Sequence, residues 1–112
     1  MIGRFAIVLP LAAFAAGGGG GGRARPSRAH AIEIHGMAFH PASLNVSVGD
    51  TVVWINRDIV PHTATGRGRR QWDSGQLQQG DSGRYVPRRS GRAPYTCTLH
   101  PTMKGLLIIG RE

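Results

Sequence analysis

The chain has 112 residues, 40% of them hydrophobic and 18% charged, which suits one globular domain and excludes a wholly disordered polyelectrolyte. The formal charge is +8, but Arg4, Arg23, Arg25 and Arg28 precede Ile32; from there nine arginines and one lysine face four aspartates and two glutamates, leaving +4. A single cysteine, Cys97, excludes an internal disulfide.

Residues Met1–Ala16 carry one cation, Arg4, followed by the apolar run Phe5–Ala16, which Pro10 interrupts. The run is too short to span a bilayer, and a charged start before a short apolar run and small residues is the pattern of a secretory signal peptide. Two cleavage points fit, one by Ala13-Phe14-Ala15, after about residue 16, and one at Ala29-His30-Ala31, after residue 31. Gly17–Gly22 and the arginine-bearing Arg23–Arg28 are low-complexity and cannot pack a core. Residues 1–31 are therefore expected to be leader and linker, and 32–112 the folded domain, exported to the periplasm or another extracytoplasmic space.

Ile32-Glu33-Ile34-His35 alternates apolar and polar and reads as a strand. Gly36 breaks it and Met37–Pro41 turns the chain, with Phe39 in the core and His40 in solvent. Leu44–Val48 alternates as a half-buried strand, and Gly49-Asp50 is a turn. Thr51–Asn56 is β-branched and aromatic, a strand expected to be buried on both faces. Arg57–Pro61 leaves it and delivers His62. Thr63–Arg70 reads as an exposed basic loop, Trp72–Gly75 as a short strand or irregular, and Gln78–Gly83 as a turn. Arg84-Tyr85-Val86 is a short strand ended by Pro87, and Arg88–Arg92 is a turn. Pro94–Cys97 is a strand, and the apolar Gly105–Gly110 is a buried final strand. Many short strands and no helical period predict an all-β, antiparallel sandwich or barrel.

The chemistry gathers in Cys97-Thr98-Leu99-His100-Pro101-Thr102-Met103. Thiolate, imidazole and thioether at three-residue steps form a soft, mixed donor set that suits copper rather than calcium or magnesium, which take oxygen. A blue-copper site needs a second histidine, for which Pro61-His62-Thr63 is the candidate. A free thiol in an oxidising compartment is a liability that ligation removes. Zinc can use the same donors, but the affinity order and the thioether favour copper. Nucleic acid is not the expected partner, because the arginines lie in turn-like segments without aromatic interleaving.

The segment Phe39-x-Pro41-x-x-Leu44-x-Val46-x-Val48-Gly49-Asp50-Thr51-Val52-x-Trp54-x-Asn56-x-Asp58-x-x-Pro61-His62-Thr63 resembles the first half of a cupredoxin. Trp72-Asp73-Ser74-Gly75 and Gly80-Asp81-Ser82 resemble its middle, and Cys97-x-x-His100-x-x-Met103 its ligand loop, whose short His-to-Met gap is similar to that of amicyanins. The resemblance implies a Greek-key β-sandwich holding one type 1 copper ion. It assigns Cys97, His62 and His100 to the trigonal plane, through the histidine Nδ1 atoms, and Met103 to the weak axial position. It implies a non-enzymatic, monomeric carrier that shuttles single electrons between redox proteins, docking through an acidic or apolar partner surface, with no stable membrane insertion once processed. A periplasmic copper carrier or buffer is the alternative. Around the ligands, Asn56 is expected to tie the His62 loop to the Cys97 loop through Thr98, and the Thr63 N–H to point at the Cys97 sulfur. Pro61, Leu99, Pro101 and Met103 form the expected apolar collar at His100, ringed by Arg67, Arg69, Arg70 and Lys104.

Three departures from the family pattern carry their own expectations. Leu99 stands where relatives commonly have proline, so its N–H is free to donate to the Cys97 sulfur and raise the reduction potential. Thr102 replaces a common aromatic residue and makes the collar more polar. Ala93 stands where the family has tyrosine and Pro87 falls in an expected strand, which together predict a weaker core and a fragile apo form.

Overall fold

In the computed structural model, which describes residues 26–69 and 71–111, eight strands form two four-stranded sheets. They are β1 (Ala29–His35), β2 (Ala38–His40), β3 (Ser43–Ser47), β4 (Thr51–Asn56), β5 (Thr65–Gly66), β6 (Ser82–Tyr85), β7 (Gly91–Thr96) and β8 (Lys104–Gly110). One sheet runs β2-β1-β4-β6 and the other β3-β8-β7-β5. The expected Greek-key β-sandwich is present. Within it β1 pairs with β4, and β3 with β8, in parallel, while the remaining pairings are antiparallel.

The alternation read in the sequence sets the core. Ile32 and Ile34 of β1, Val52 and Trp54 of β4, Ala93 and Tyr95 of β7, and Leu107 and Ile109 of β8 point inward and are buried. β4 buries one face fully and the other only by half, rather than both, because Thr51, Val53 and Ile55 lie on the outer side of its sheet. Tyr95 is the centre of an aromatic cluster, 4.7 Å from Phe39, 5.2 Å from Trp54 and 6.0 Å from Trp72 between ring centroids. A Cβ built on Gly105, opposite Tyr95 in the β7–β8 ladder, would collide with Cζ, Cε1 and the hydroxyl of that tyrosine, so glycine is what lets the side chain lie there.

Several boundaries move. β1 begins at Ala29, upstream of the expected Ile32, because Asp50 fastens the segment ahead of it. The buried Asp50 carboxylate accepts the Arg28 N–H at 3.1 Å and the Ser47 N–H at 2.9 Å, and lies 2.9 Å from His30 Nε2. The leader expected before residue 26 lies outside the described residues. β7 starts at Gly91, where a turn was expected, and β6 takes in Ser82 and Gly83. Thr63 and Ala64 are buried rather than part of an exposed loop, because they cover the Cys97 side of the sandwich. Pro87 interrupts no strand: β6 has ended at Tyr85, the proline is fully buried, and its carbonyl accepts the Gly49 N–H at 2.9 Å. Ala93 is fully buried on the same inward face as Tyr95, two residues on.

The β1–β2 turn has Gly36 and Met37 both at φ 61°, the two left-handed residues of a type I′ hairpin turn. Methionine is an unfavourable residue there, and the turn is held from outside. The Asp58 carboxylate accepts the Gly36 N–H at 2.8 Å and the Met37 N–H at 3.0 Å.

Candidate metal centre

Two loops from different sheets meet to form the site. β4 ends at Asn56, and the following loop is shaped by that side chain: its Nδ2 donates to Val60 O at 2.9 Å and Leu77 O at 2.8 Å, and its Oδ1 accepts the Asp58 N–H at 2.9 Å. The expected bond from Asn56 to Thr98 is not made, because the amide is spent on its own loop and on Leu77. Thr63 does the bridging instead. Its hydroxyl accepts the Thr98 N–H at 2.9 Å and lies 3.1 Å from the Thr98 hydroxyl, so Thr98 joins the two loops through a different partner.

His62 is completely buried and locked on both sides of its peptide by bonds with Leu77, at 3.1 and 2.7 Å. Its Nε2 lies 2.8 Å from Asp58 Oδ2, so this nitrogen carries the proton and Nδ1 is left with its lone pair. Desolvation works to raise the Asp58 carboxyl, but the bonds from Met37, His62 and Gly36 outweigh it and hold the group below the ordinary carboxylate value. Asp58 was not foreseen as part of the site; the signal was its four-residue spacing from His62.

The second loop follows β7. Cys97 N donates to Met103 O at 3.2 Å, Met103 N to His100 O at 2.9 Å, and Thr96 Oγ1 to Met103 O at 2.7 Å. These bonds close residues 97–103 into a fixed arc. Cys97 Sγ stands 3.7 Å from Nδ1 of both His62 and His100, and the ligand atoms of the three residues lie within 4.8 Å of one another. The Thr63 N–H donates to the same sulfur at 3.3 Å. Among the described residues Leu99 makes no such bond, which corrects the expected second donor: Leu99 sits on the exposed bend of the loop with its side chain 40% exposed. Met103 is buried beside Cys97 in the core, and so is no part of a surface collar.

This donor set fits copper. The buried sulfur accepts a backbone N–H, and the Nδ1 atoms of two imidazoles face it, a soft thiol and two nitrogens of the kind copper takes. His100 is half-buried, its ring edge-on to His62 with centroids 5.0 Å apart. Pro61 is half-buried, while Leu99, Pro101, Thr102 and Lys104 are exposed. The loop ahead of His62 adds two apolar residues the sequence reading missed, Ile59 at 83% and Val60 at 42% exposure. Two adjacent apolar residues in a loop next to a ligand were the available signal. Arg67 and Arg69 are exposed, and Arg70 lies outside the described residues.

The family described as copper-binding proteins of the plastocyanin/azurin type matches residues 27–110. The chain is 30% identical over 82 residues to an amicyanin of Paracoccus denitrificans, covering 70% of this chain and 63% of that protein's length. It is 28% identical over 102 residues to amicyanin-alpha of Methylorubrum extorquens, covering 88% of this chain and 86% of the relative. Among solved structures, a reduced tryptophan-to-tyrosine variant of amicyanin superposes with a TM-score of 0.68 at 28% identity, over 72% of this chain and 81% of that one. A purple cupredoxin from Nitrosopumilus maritimus superposes with a TM-score of 0.66 at 28% identity, over 72% and 99%.

Proposed function

We propose, from the premise that this chain belongs to the copper-binding plastocyanin/azurin family, that it is a type 1 copper protein carrying single electrons between redox partners, and not an enzyme. Cys97, His62, His100 and Met103 would hold the ion. When bound, copper supplies a one-electron Cu(I)/Cu(II) couple. The observation that carries the reading is the pair of 3.7 Å separations from Cys97 Sγ to the two Nδ1 atoms, set in two loops that Thr63 and Thr98 cross-brace.

The chain's own part is preorganisation. Asp58 keeps the proton on Nε2 of His62 and so presents Nδ1. The Thr63 N–H offsets charge on the sulfur, and the 97–103 arc fixes His100 and Met103 relative to Cys97. Donors that need not move when the charge of the site changes keep the reorganisation cost of electron transfer low. The half-buried His100 is the electron port, with exposed Leu99 and Pro101 in its own loop and exposed Ile59 and Val60 in the loop that carries His62. Exposed Arg67, Arg69 and Lys104 favour a partner that is apolar at the centre of contact and acidic at its edge.

The protein acts in the periplasm or another extracytoplasmic space. No helix among the described residues is long and apolar enough to cross a membrane. Maturation at the Ala13-Phe14-Ala15 point is supported by the β1 pairings of Ala29, His30 and Ala31 with Thr51, Val52 and Val53 and by the Asp50 contacts, which cutting after Ala31 would remove. The test is visible absorption on adding one equivalent of Cu(II), with Cys97→Ser beside it. An intense blue charge-transfer band that bleaches with mild reductant and is absent in the variant is expected. Copper bound without that band would favour the copper-carrier reading instead.

A further inference from the structure

His35 and His40 lie outside the site just described, on the outer face of the β1–β2 hairpin. Their rings stack face to face, 4.0 Å between centroids and 13° from parallel, and both side chains are exposed. His40 Nε2 lies 3.1 Å from the His35 carbonyl, so it donates there and leaves His40 Nδ1 as a free lone pair. No such bond occupies the His35 ring among the described residues. Glu33 is the direct cross-strand partner of His40, and Met37, 45% exposed, caps the turn between the histidines. The scaffold is firm, because Asp58 pins both N–H groups of the turn.

We infer that His35 and His40 form a second metal site, binding a transition-metal ion of the imidazole-preferring class, Cu(II) foremost by the affinity order. Two nitrogens bound side by side to one ion at about 2.0–2.1 Å lie about 3 Å apart. The stacked rings need only turn from face-sharing to edge-sharing to reach that spacing, a motion open to exposed side chains on a fixed hairpin. Two protein ligands leave the remaining positions to water, so the site takes up and releases its ion readily, unlike the enclosed cage at Cys97. Asp58, which pins this hairpin, also holds His62, so an ion captured here waits at the same end of the molecule as the first site. That position suits capture of copper before loading.

The experiment is a Cu(II) titration of the purified protein past one equivalent in a non-chelating buffer, followed by electron paramagnetic resonance and by the blue band together. The expected result is a second, separate signal with nitrogen couplings that grows only after the blue band saturates. It should disappear in His35→Gln and in His40→Gln while the blue band keeps its intensity. Absence of a second signal from the unaltered protein, or its survival in both variants, would overturn the inference. The blue band reports the Cys97 site independently, so failure of either reading leaves the other visible.

Discussion

Gly105→Ala tests whether the aromatic core and the metal loop share one packing solution. The added methyl would occupy the space of the Tyr95 ring, reaching its Cζ, Cε1 and hydroxyl atoms. Tyr95 is 1% exposed and enclosed by Phe39, Trp54 and Trp72, so the ring has nowhere to swing. Overfilling a packed core costs about 1–3 kcal/mol, and complete loss of a large aromatic about 3–5 kcal/mol. A partly expelled Tyr95 falls between, at about 3 kcal/mol, which in a domain of this size lowers the thermal midpoint by about 12–24 °C. The assay is thermal unfolding of the metal-free protein by circular dichroism, repeated in a Tyr95→Leu background. There the clash is gone, and the Gly105→Ala penalty should shrink to below about 1 kcal/mol, an interaction of about 2 kcal/mol. A single variant within about 0.5 kcal/mol of the parent, or an equal penalty in both backgrounds, would refute the packing argument.

Other expectations follow from named contacts. Asp58→Ala frees His62 Nε2 and the β1–β2 turn, and should weaken copper binding about 10–100-fold in a competition titration, as loss of a partner to a ligating histidine does. Thr63→Val removes the hydroxyl bonds to Thr98 and should lower apo stability by about 1 kcal/mol while the blue band persists, because the sulfur's donor is backbone. Ala93→Tyr should destabilise by about 1–3 kcal/mol, since Ala93 is fully buried and the core beside it already holds Tyr95. Burial pushes the Tyr95 phenol up to about 12, against an ordinary value of 10.0. Its folded form therefore holds the proton longer, and the stability this gives is complete below pH 10 and lost as pH rises toward 12. Stability read from denaturant unfolding should fall across that window by about 3 kcal/mol, and Tyr95→Phe should flatten the decline.

The ligand chemistry was legible without coordinates. Cys97, His100 and Met103 declare themselves by residue type and by three-residue spacing on one short loop, because a loop that short must present its side chains to one point. The strand at 44–48 was legible because a half-buried strand imposes a period of two on hydrophobicity, and that period is local; 51–56 and 105–110 were legible instead as short β-branched or apolar runs. What the chain alone did not determine depends on residues far apart in sequence. Arg28–His30 looked like linker, and becomes β1 and its anchor only because Asp50, some twenty residues on, supplies the acceptor. Asn56 and Thr63 are both polar loop residues beside a ligand, and which of them reaches Thr98 is decided by where β4 stops and which carbonyls stand nearby. Gly105 read only as the start of a strand, and its need to be glycine appears once Tyr95 is seen packed against it. Composition and period state which residues seek the interior, whereas packing decides which of them meet, because the same volume can be filled from more than one position along a strand.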